Sequence, residues 1–254
     1  MSRAYVIATL DTKGEEALFV AGKLRAAGAE TVVVDVGVKE SPSANAEVSR
    51  EEVAGFHPDG AAAVLATADR GEAVAKMSEA LVRYLVREQA AGKLAGAIGL
   101  GGSGGTALVA PALRALPIGV PKAIVSTMAS GNTRPYVGSA DIAMFYSVVD
   151  VAGLNRVSRR VLANAAHALA GMIARLETGK NEAPTVGMTM FGVTTPCVTA
   201  ARTALEAVGV ECLVFHATGT GGQAMENLVD GKALDALLDL TTTEVADEIV
   251  GGVL

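Results

Sequence analysis

The stretch Ala97-Ile98-Gly99-Leu100-Gly101-Gly102-Ser103-Gly104-Gly105-Thr106 decides how this chain folds. It starts inside an apolar run of strand length, Ala95 to Leu100, and ends at the head of a helical stretch from about Thr106 to Leu116. In open parallel sheets ligands settle at the carboxyl edge, where a strand passes into a helix. Glycines at that turn let the backbone come close to an anion and take up conformations that side chains disfavour. Successive N–H groups then point at one spot, helped by the positive end of the helix dipole. The pattern predicts a strand, a phosphate-cradling loop and a helix, in that order.

Working outward, the same alternation recurs. Tyr5 to Leu10 is a short apolar run, broken by Asp11-Thr12-Lys13-Gly14. Glu15 and Glu16 open a helix that Gly28 closes, and Thr31 to Val36 is a second strand. A strand, a helix and a strand so close together predict a right-handed βαβ unit. Glu40 to Asp59 is polar and irregular, with one short helix at Ser49 to Ala54, and Ala73 to Ala91 is helical. Downstream of the glycines come strands at Lys122 to Thr127 and Ile142 to Val149, then a long amphipathic helix from Leu154 to Leu176.

Gly179-Lys180-Asn181-Glu182-Ala183-Pro184 has the composition of a linker, and beyond it the opening pattern repeats. Val186 to Phe191 is a strand, Pro196 to Val208 a helix and Glu211 to Phe215 a strand, while Gly221-Gly222-Gln223-Ala224 echoes Gly104-Gly105-Thr106-Ala107. The expected architecture is α/β: two Rossmann-like lobes with mostly parallel sheets flanked by helices, over residues 1–180 and 185–254. The segment Leu234 to Leu254 stops where the alternation calls for another strand and helix, so the second lobe is expected to be truncated.

Composition narrows the function classes. With 254 residues and 50% hydrophobic content, there is enough material for sizeable cores. A formal net charge of −6 offers no electrostatic footprint for nucleic acid or an anionic membrane. No stretch is long and apolar enough for a membrane span, and the two cysteines are too few for a disulfide framework. The expected location is the cytoplasm.

Three phosphate-loop classes separate at the glycine run. A Walker A loop ends in Gly-Lys-Ser/Thr, a triplet that does not occur here. Gly99, Gly101 and Gly104 satisfy G-x-G-x-x-G, but a dinucleotide reader also places an acid at the end of the following strand, which here carries Ser126 and Thr127. A nicotinamide enzyme is therefore disfavoured. The remaining class is a nucleotide held by backbone amides, with Ser103 and Thr106 adding hydroxyls or helping to hold magnesium. The loop Ser126-Thr127-Met128-Ala129-Ser130-Gly131 follows the next strand and suits phosphate or ribose contacts. Asp11, Thr12 and Lys13 also follow a strand: Lys13 can neutralise phosphate, and Asp11 can accept from a sugar or hold a metal through water.

Other residues carry weaker signals. Asp141 and Asp150 flank a strand as edge acids. Arg156, Arg159 and Arg160 crowd a helix start, where cations are unfavourable without an anion, but a solvated basic face is the commoner arrangement and the favoured reading. His57, His167 and His216 lie at no metal-ligand spacing. His216, ahead of Thr218-Gly219-Thr220-Gly221-Gly222, is the weak catalytic candidate. Cys197 in a first helical turn reads as a buried, inert thiol.

Taken together, Ile7-Ala8-Thr9-Leu10-Asp11-Thr12-Lys13-Gly14-Glu15-Glu16, the glycine loop, Ser126-Thr127-Met128-Ala129-Ser130-Gly131, Gly153-Leu154-Asn155 and Val214-Phe215-His216-Ala217-Thr218-Gly219-Thr220-Gly221-Gly222 resemble the UPF0261 family, also called Tm-1-like ATP-binding proteins. The resemblance covers essentially the whole chain. It implies an ATP-binding first lobe, a second α/β lobe and a homo-oligomer, often a dimer, with family chains running past residue 254. By that likeness the nucleotide role falls on Asp11, Thr12 and Lys13, on Gly101 to Thr106, and on Ser126, Thr127, Ser130 and Gly131. The alternatives are an enzyme of phosphoryl-transfer or ligase type, with a small-molecule ligand in an interlobe cleft, and a non-catalytic regulator that uses ATP to fix its conformation.

Overall fold

The structure is a computed structural model and describes residues 2–39, 46–176 and 183–253. The chain divides into two compact units, Met1–Val137 with Asp141–Glu177, and Gly138–Ala140 with Thr178–Leu254. The stretch 40–45 of the irregular segment and residues 179–182 of the linker lie outside the described residues.

The first unit runs β1 (Arg3–Ala8), α1 (Leu10–Ala26), β2 (Thr31–Asp35), α2 (Arg50–Ala54), α3 (Gly60–Leu65), α4 (Arg70–Ala90), β3 (Leu94–Gly101), α5 (Ser103–Arg114), β4 (Lys122–Ser126), α6 (Arg134–Val137), β5 (Ala143–Tyr146) and α7 (Arg156–Ala174). All five strands are parallel, in the order β2-β1-β3-β4-β5. Alternation along each strand feeds two cores. Tyr5, Ile7, Val32, Val34 and Ile124 point to the face covered by α2 to α5, where Met77, Leu81, Leu85, Leu108 and Leu113 are buried. Val6, Ala8, Val33, Ile98, Leu100 and Val125 point to the opposite face, against Val20 and Leu24 of α1 and Leu162 and Leu169 of α7. Burying each large apolar side chain contributes about 1.5–3 kcal/mol. Both sheet faces are thus dry, which is why these strands read as continuous apolar runs.

The second unit runs β6 (Thr185–Met190), α8 (Thr195–Glu206), β7 (Glu211–His216), α9 (Thr220–Asp230), β8 (Ala236–Leu238) and α10 (Thr243–Val250). Its three parallel strands are ordered β7-β6-β8, the same arrangement as β2-β1-β3 in the first unit. The chain is an α/β protein whose second sheet is small. Among the described residues no helix is long and apolar enough to cross a membrane.

Several boundaries differ from the sequence expectation, each for a physical reason. Asp11-Thr12-Lys13-Gly14 does not break the chain: α1 starts at Leu10, and the polar stretch forms its first turns, kinked at Lys13 (φ −128°, ψ 20°). The helix after the glycines begins at Ser103, because Gly104 and Gly105 take helical geometry rather than loop geometry. Asn155, not Leu154, starts α7 as a cap: its side chain accepts from Val157 and Ser158 amides, and the Ser158 hydroxyl accepts from the Asn155 amide. The strand expected over Ile142 to Val149 shortens to β5, and the alanine-rich α3 has no apolar periodicity to announce it. The closing segment holds a short strand and a helix, β8 and α10.

Candidate functional site

The order β2-β1-β3 means that the chain reverses its winding direction between β1 and β3. Connections leaving those two strands cover opposite faces, and a crevice opens at their carboxyl ends. A pocket of about 330 Å³ lies there, at the small end of the range for ligand sites. Thr9, Asp11, Thr12 and Lys13 wall it from the β1 side, and Gly101 to Gly105 from the β3 side.

Local packing explains the glycines on that wall. A Cβ on Gly101 would stand 2.9 Å from the Cα of Gly105, and one on Gly99 would stand 2.6 Å from Cγ1 of Val109. These two glycines let α5 sit directly on the end of β3. Gly104 has another role: nothing lies within 4 Å of its Cβ position, so the bare backbone faces open space in the pocket. The cap residue Gly102 supplies no side-chain hydrogen bond, and no acid sits in the first turn. The free amides at the start of α5 are therefore offered to something else.

Charge completes the wall. Lys13, Lys39 and Arg70 line the pocket, and among the described residues none of them has an ion pair or a side-chain hydrogen bond. Arg70 opens α4, capped by Asp69 accepting from the Glu72 amide at 2.8 Å. A cation at a helix start is electrostatically misplaced unless an anion comes near. Val38, Val74 and Leu108 supply an apolar portion of the wall, and Asp11 and Asp150 add two acids. Sequence reasoning did not single out Lys39, Arg70 or the apolar residues as ligand contacts. For Arg70 the signal was present: it is the same helix-start cation noticed at Arg156.

Not all candidates gather there. Thr106 is buried, donating to the Gly102 carbonyl at 2.8 Å and standing 2.6 Å from the Ser126 hydroxyl. Ser126, fully buried, also accepts from the Met128 amide at 2.9 Å. These two hydroxyls hold α5 to the end of β4. Thr127 sits behind the cradle, its Oγ1 3.7 Å from the Cβ position of Gly102, while Ser130 and Gly131 are exposed; none of the three lines the pocket. Asp141 pairs with the buried Lys122 at 2.6 Å and accepts from the Gly119 amide, which makes it a structural anchor. Burial pushes the Lys122 amine below its ordinary range, and Asp141 opposes that shift.

Behind the pocket, Asp35 at the end of β2 accepts from the amides of Leu10 at 3.0 Å and Gly37 at 2.8 Å. Burial raises its carboxyl above the ordinary range; those two hydrogen bonds lower it and the neighbouring Asp11 raises it further. Asp11 Oδ1 is buried and, among the described residues, has no hydrogen-bond partner. Among the described residues no three His, Cys, Asp or Glu side chains come together as a metal cluster.

The model of the Uncharacterised protein family (UPF0261) N-terminal domain matches residues 2–178, and that of its C-terminal domain matches residues 183–254. The chain belongs to the UPF0261 family. A UPF0261 protein of Rhizobium meliloti is 52% identical over the whole chain, which spans 63% of that relative's length. The ToMV resistance protein Tm-1(GCR237) of Solanum lycopersicum is 48% identical over 99% of this chain and 36% of its own length. Among solved structures, Methanocaldococcus jannaschii UDP-GlcNAc 2-epimerase, in complex with UDP-GlcNAc and UDP, matches 98% of this chain and 76% of that one at 10% identity and a TM-score of 0.34. So loose a superposition carries neither fold nor ligand across.

In this UPF0261 chain the second glycine motif is built differently from the first. It follows β7, the edge strand paired to β6, whereas the first motif follows β3, the counterpart of β8. The echo in sequence is not an equivalence in topology. The Glu244 carboxylate of α10 accepts from the amides of Gly219 and Gly222, so the start of α9 is capped from within its own unit. His216 ends β7, exposed, with its ring edge-on to Phe191 at 5.3 Å between centroids. Cys197 is exposed on α8, contrary to the buried thiol expected, because its position falls on the outer side of that short helix.

Proposed function

We propose that the first unit binds ATP, with the phosphates on the amides at the start of α5 and the three pocket-lining cations around them. The observation that carries this proposal is one coincidence. The pocket at the winding reversal between β1 and β3 holds an uncapped glycine-rich helix start, and Lys13, Lys39 and Arg70, from three other segments, line the same space. Backbone donors that need an acceptor and side-chain cations that need an anion converge there, which suits a polyphosphate. Val38, Val74 and Leu108 offer apolar contact to a base.

Magnesium would arrive on the phosphates. The exposed Ser103 hydroxyl on the pocket wall is free to accompany it, whereas Thr106 is committed to Gly102 and Ser126. Calorimetric titration of the 254-residue chain with ATP tests the proposal. The expected result is saturable binding, competed by inorganic tripolyphosphate and weakened by salt. No heat and no protection from thermal unfolding at millimolar ATP would overturn it.

A further inference from the structure

Among the described residues other than glycine, only Val148 and Lys232 have a positive φ, 65° and 56°. The place of Lys232 explains it: Lys232 follows Gly231 at the end of α9, where helices commonly close through a left-handed residue. Val148 ends no helix. It is the middle of a three-residue turn in which the Val149 amide donates to the Ser147 carbonyl at 2.7 Å. A turn of this hand is rare and strained, and a β-branched side chain adds to the strain. Packing does not offset it, because Val148 is 56% exposed. A second bond between the same two residues closes the turn: the Ser147 hydroxyl donates to the Val149 carbonyl at 2.6 Å.

Both ends of this segment are anchored. Ser147 is buried, and its amide donates to the Ser126 carbonyl at 3.2 Å. Val151 is buried, and beyond it the Gly153 amide donates to the buried Glu16 carboxylate at 2.6 Å. Residues 148–150 bridge these anchors, and Asp150 is the one of the three that lines the pocket at the ends of β1 and β3. An acid on that wall repels an incoming polyphosphate. Strain at Val148 and repulsion at Asp150 therefore act together against the closed turn.

We propose that the Ser147–Val149 turn is a strained catch that holds Asp150 on the pocket wall and gives way when a polyphosphate enters. This rests on the phosphate reading above and adds a control to that site. Backbone strain of this kind persists only where its surroundings enforce it, and it gathers at ligand clamps and switches. A guest repelled less by the open form binds that form better, and it shifts the population by that difference.

The test follows tripolyphosphate binding, with chelator present, by calorimetry on the 254-residue chain and on Ser147→Ala, Val148→Gly and Asp150→Asn. NMR reads hydrogen exchange at the Val149 amide, and circular dichroism melts establish that each variant is folded. Ser147→Ala loosens the catch and should bind about three- to tenfold tighter. Val148→Gly keeps the turn without its strain and should bind about three- to tenfold weaker. Asp150→Asn should bind tighter while Val149 protection before addition stays as in the wild type. Saturating tripolyphosphate should lower that protection in the wild type, because binding and opening are reciprocally linked. Weaker binding by Ser147→Ala with tighter binding by Val148→Gly overturns the proposal, as does a rise in Val149 protection on binding, since the turn would then close on its guest. Equal affinity in all four chains defeats this inference and leaves the phosphate site standing. Failure of every chain to bind, Ser147→Ala included, defeats both.

Discussion

The Thr106 hydroxyl lies 2.6 Å from that of Ser126 and ties the first turn of α5 to the last residue of β4. Both groups are buried, so two hydroxyls beside the glycine cradle serve its framework and not its ligand. Thr106→Val keeps the shape and removes two hydrogen bonds, which should cost about 1–2 kcal/mol of stability. ATP affinity should stay within about twofold of wild type. Chemical denaturation and titration on the same samples check it, and a large affinity loss in a stable variant would return Thr106 to the ligand.

Gly101 and Gly104 should respond to substitution in opposite ways. Gly101→Ala sets a methyl 2.9 Å from the Gly105 backbone and should destabilise the fold by about 1–3 kcal/mol through overpacking. At Gly104 a Cβ meets nothing within 4 Å, so the branched side chain of Gly104→Val extends into the pocket that this residue lines. That variant should melt close to wild type yet fail to bind ATP, so thermal melts paired with titrations separate the two roles.

Lys13 and Arg70 reach the pocket from different elements, so their contributions should be separable. Lys13→Ala and Arg70→Ala are each expected to weaken ATP binding by about three- to tenfold, with melting unchanged, because exposed single charges contribute modestly. The double variant should show nearly the product of the two losses. The wild-type salt dependence of binding should flatten in each.

Asp35 makes stability respond to acid. Its folded carboxyl sits above the ordinary range because of burial, so the native state holds the proton more tightly than the unfolded chain does. By linkage its contribution is most favourable at low pH and is lost as pH rises through the carboxylate range towards the raised folded value. Asp35→Asn keeps an acceptor for the Leu10 and Gly37 amides without the buried charge. Melts from about pH 4 to about pH 8 should show the variant equal or superior at neutral pH, with a shallower acid dependence than wild type. A wild-type stability relative to Asp35→Asn that does not fall as pH rises would contradict the assignment.

Much of the first unit was legible because its strands are buried on both faces. β1 to β4 are short apolar runs between breakers, and no other environment produces them so regularly. β5 was overextended because an edge strand is only half-buried and its residues carry a weaker pattern. The glycine cradle was legible as chemistry, but its inner boundary was not: Gly104 and Gly105 look like loop residues in sequence, and tight contact with Gly101 winds them into a helix. The burial of Ser126 follows from strand parity. The residue falls on the same face of β4 as Ile124, and that is the face α5 covers. Lys39, Arg70 and Asp150 meet at the pocket only after three separate connections have folded, and no local spacing encodes that meeting.

The reversal of winding between β1 and β3 means that the mouth of this cavity is made by topology, before any side chain is chosen. Substitutions around its rim can therefore alter which guest is admitted without closing the door. Changes that displace the backbone at the ends of those two strands, such as a methyl on Gly101, act on the opening itself.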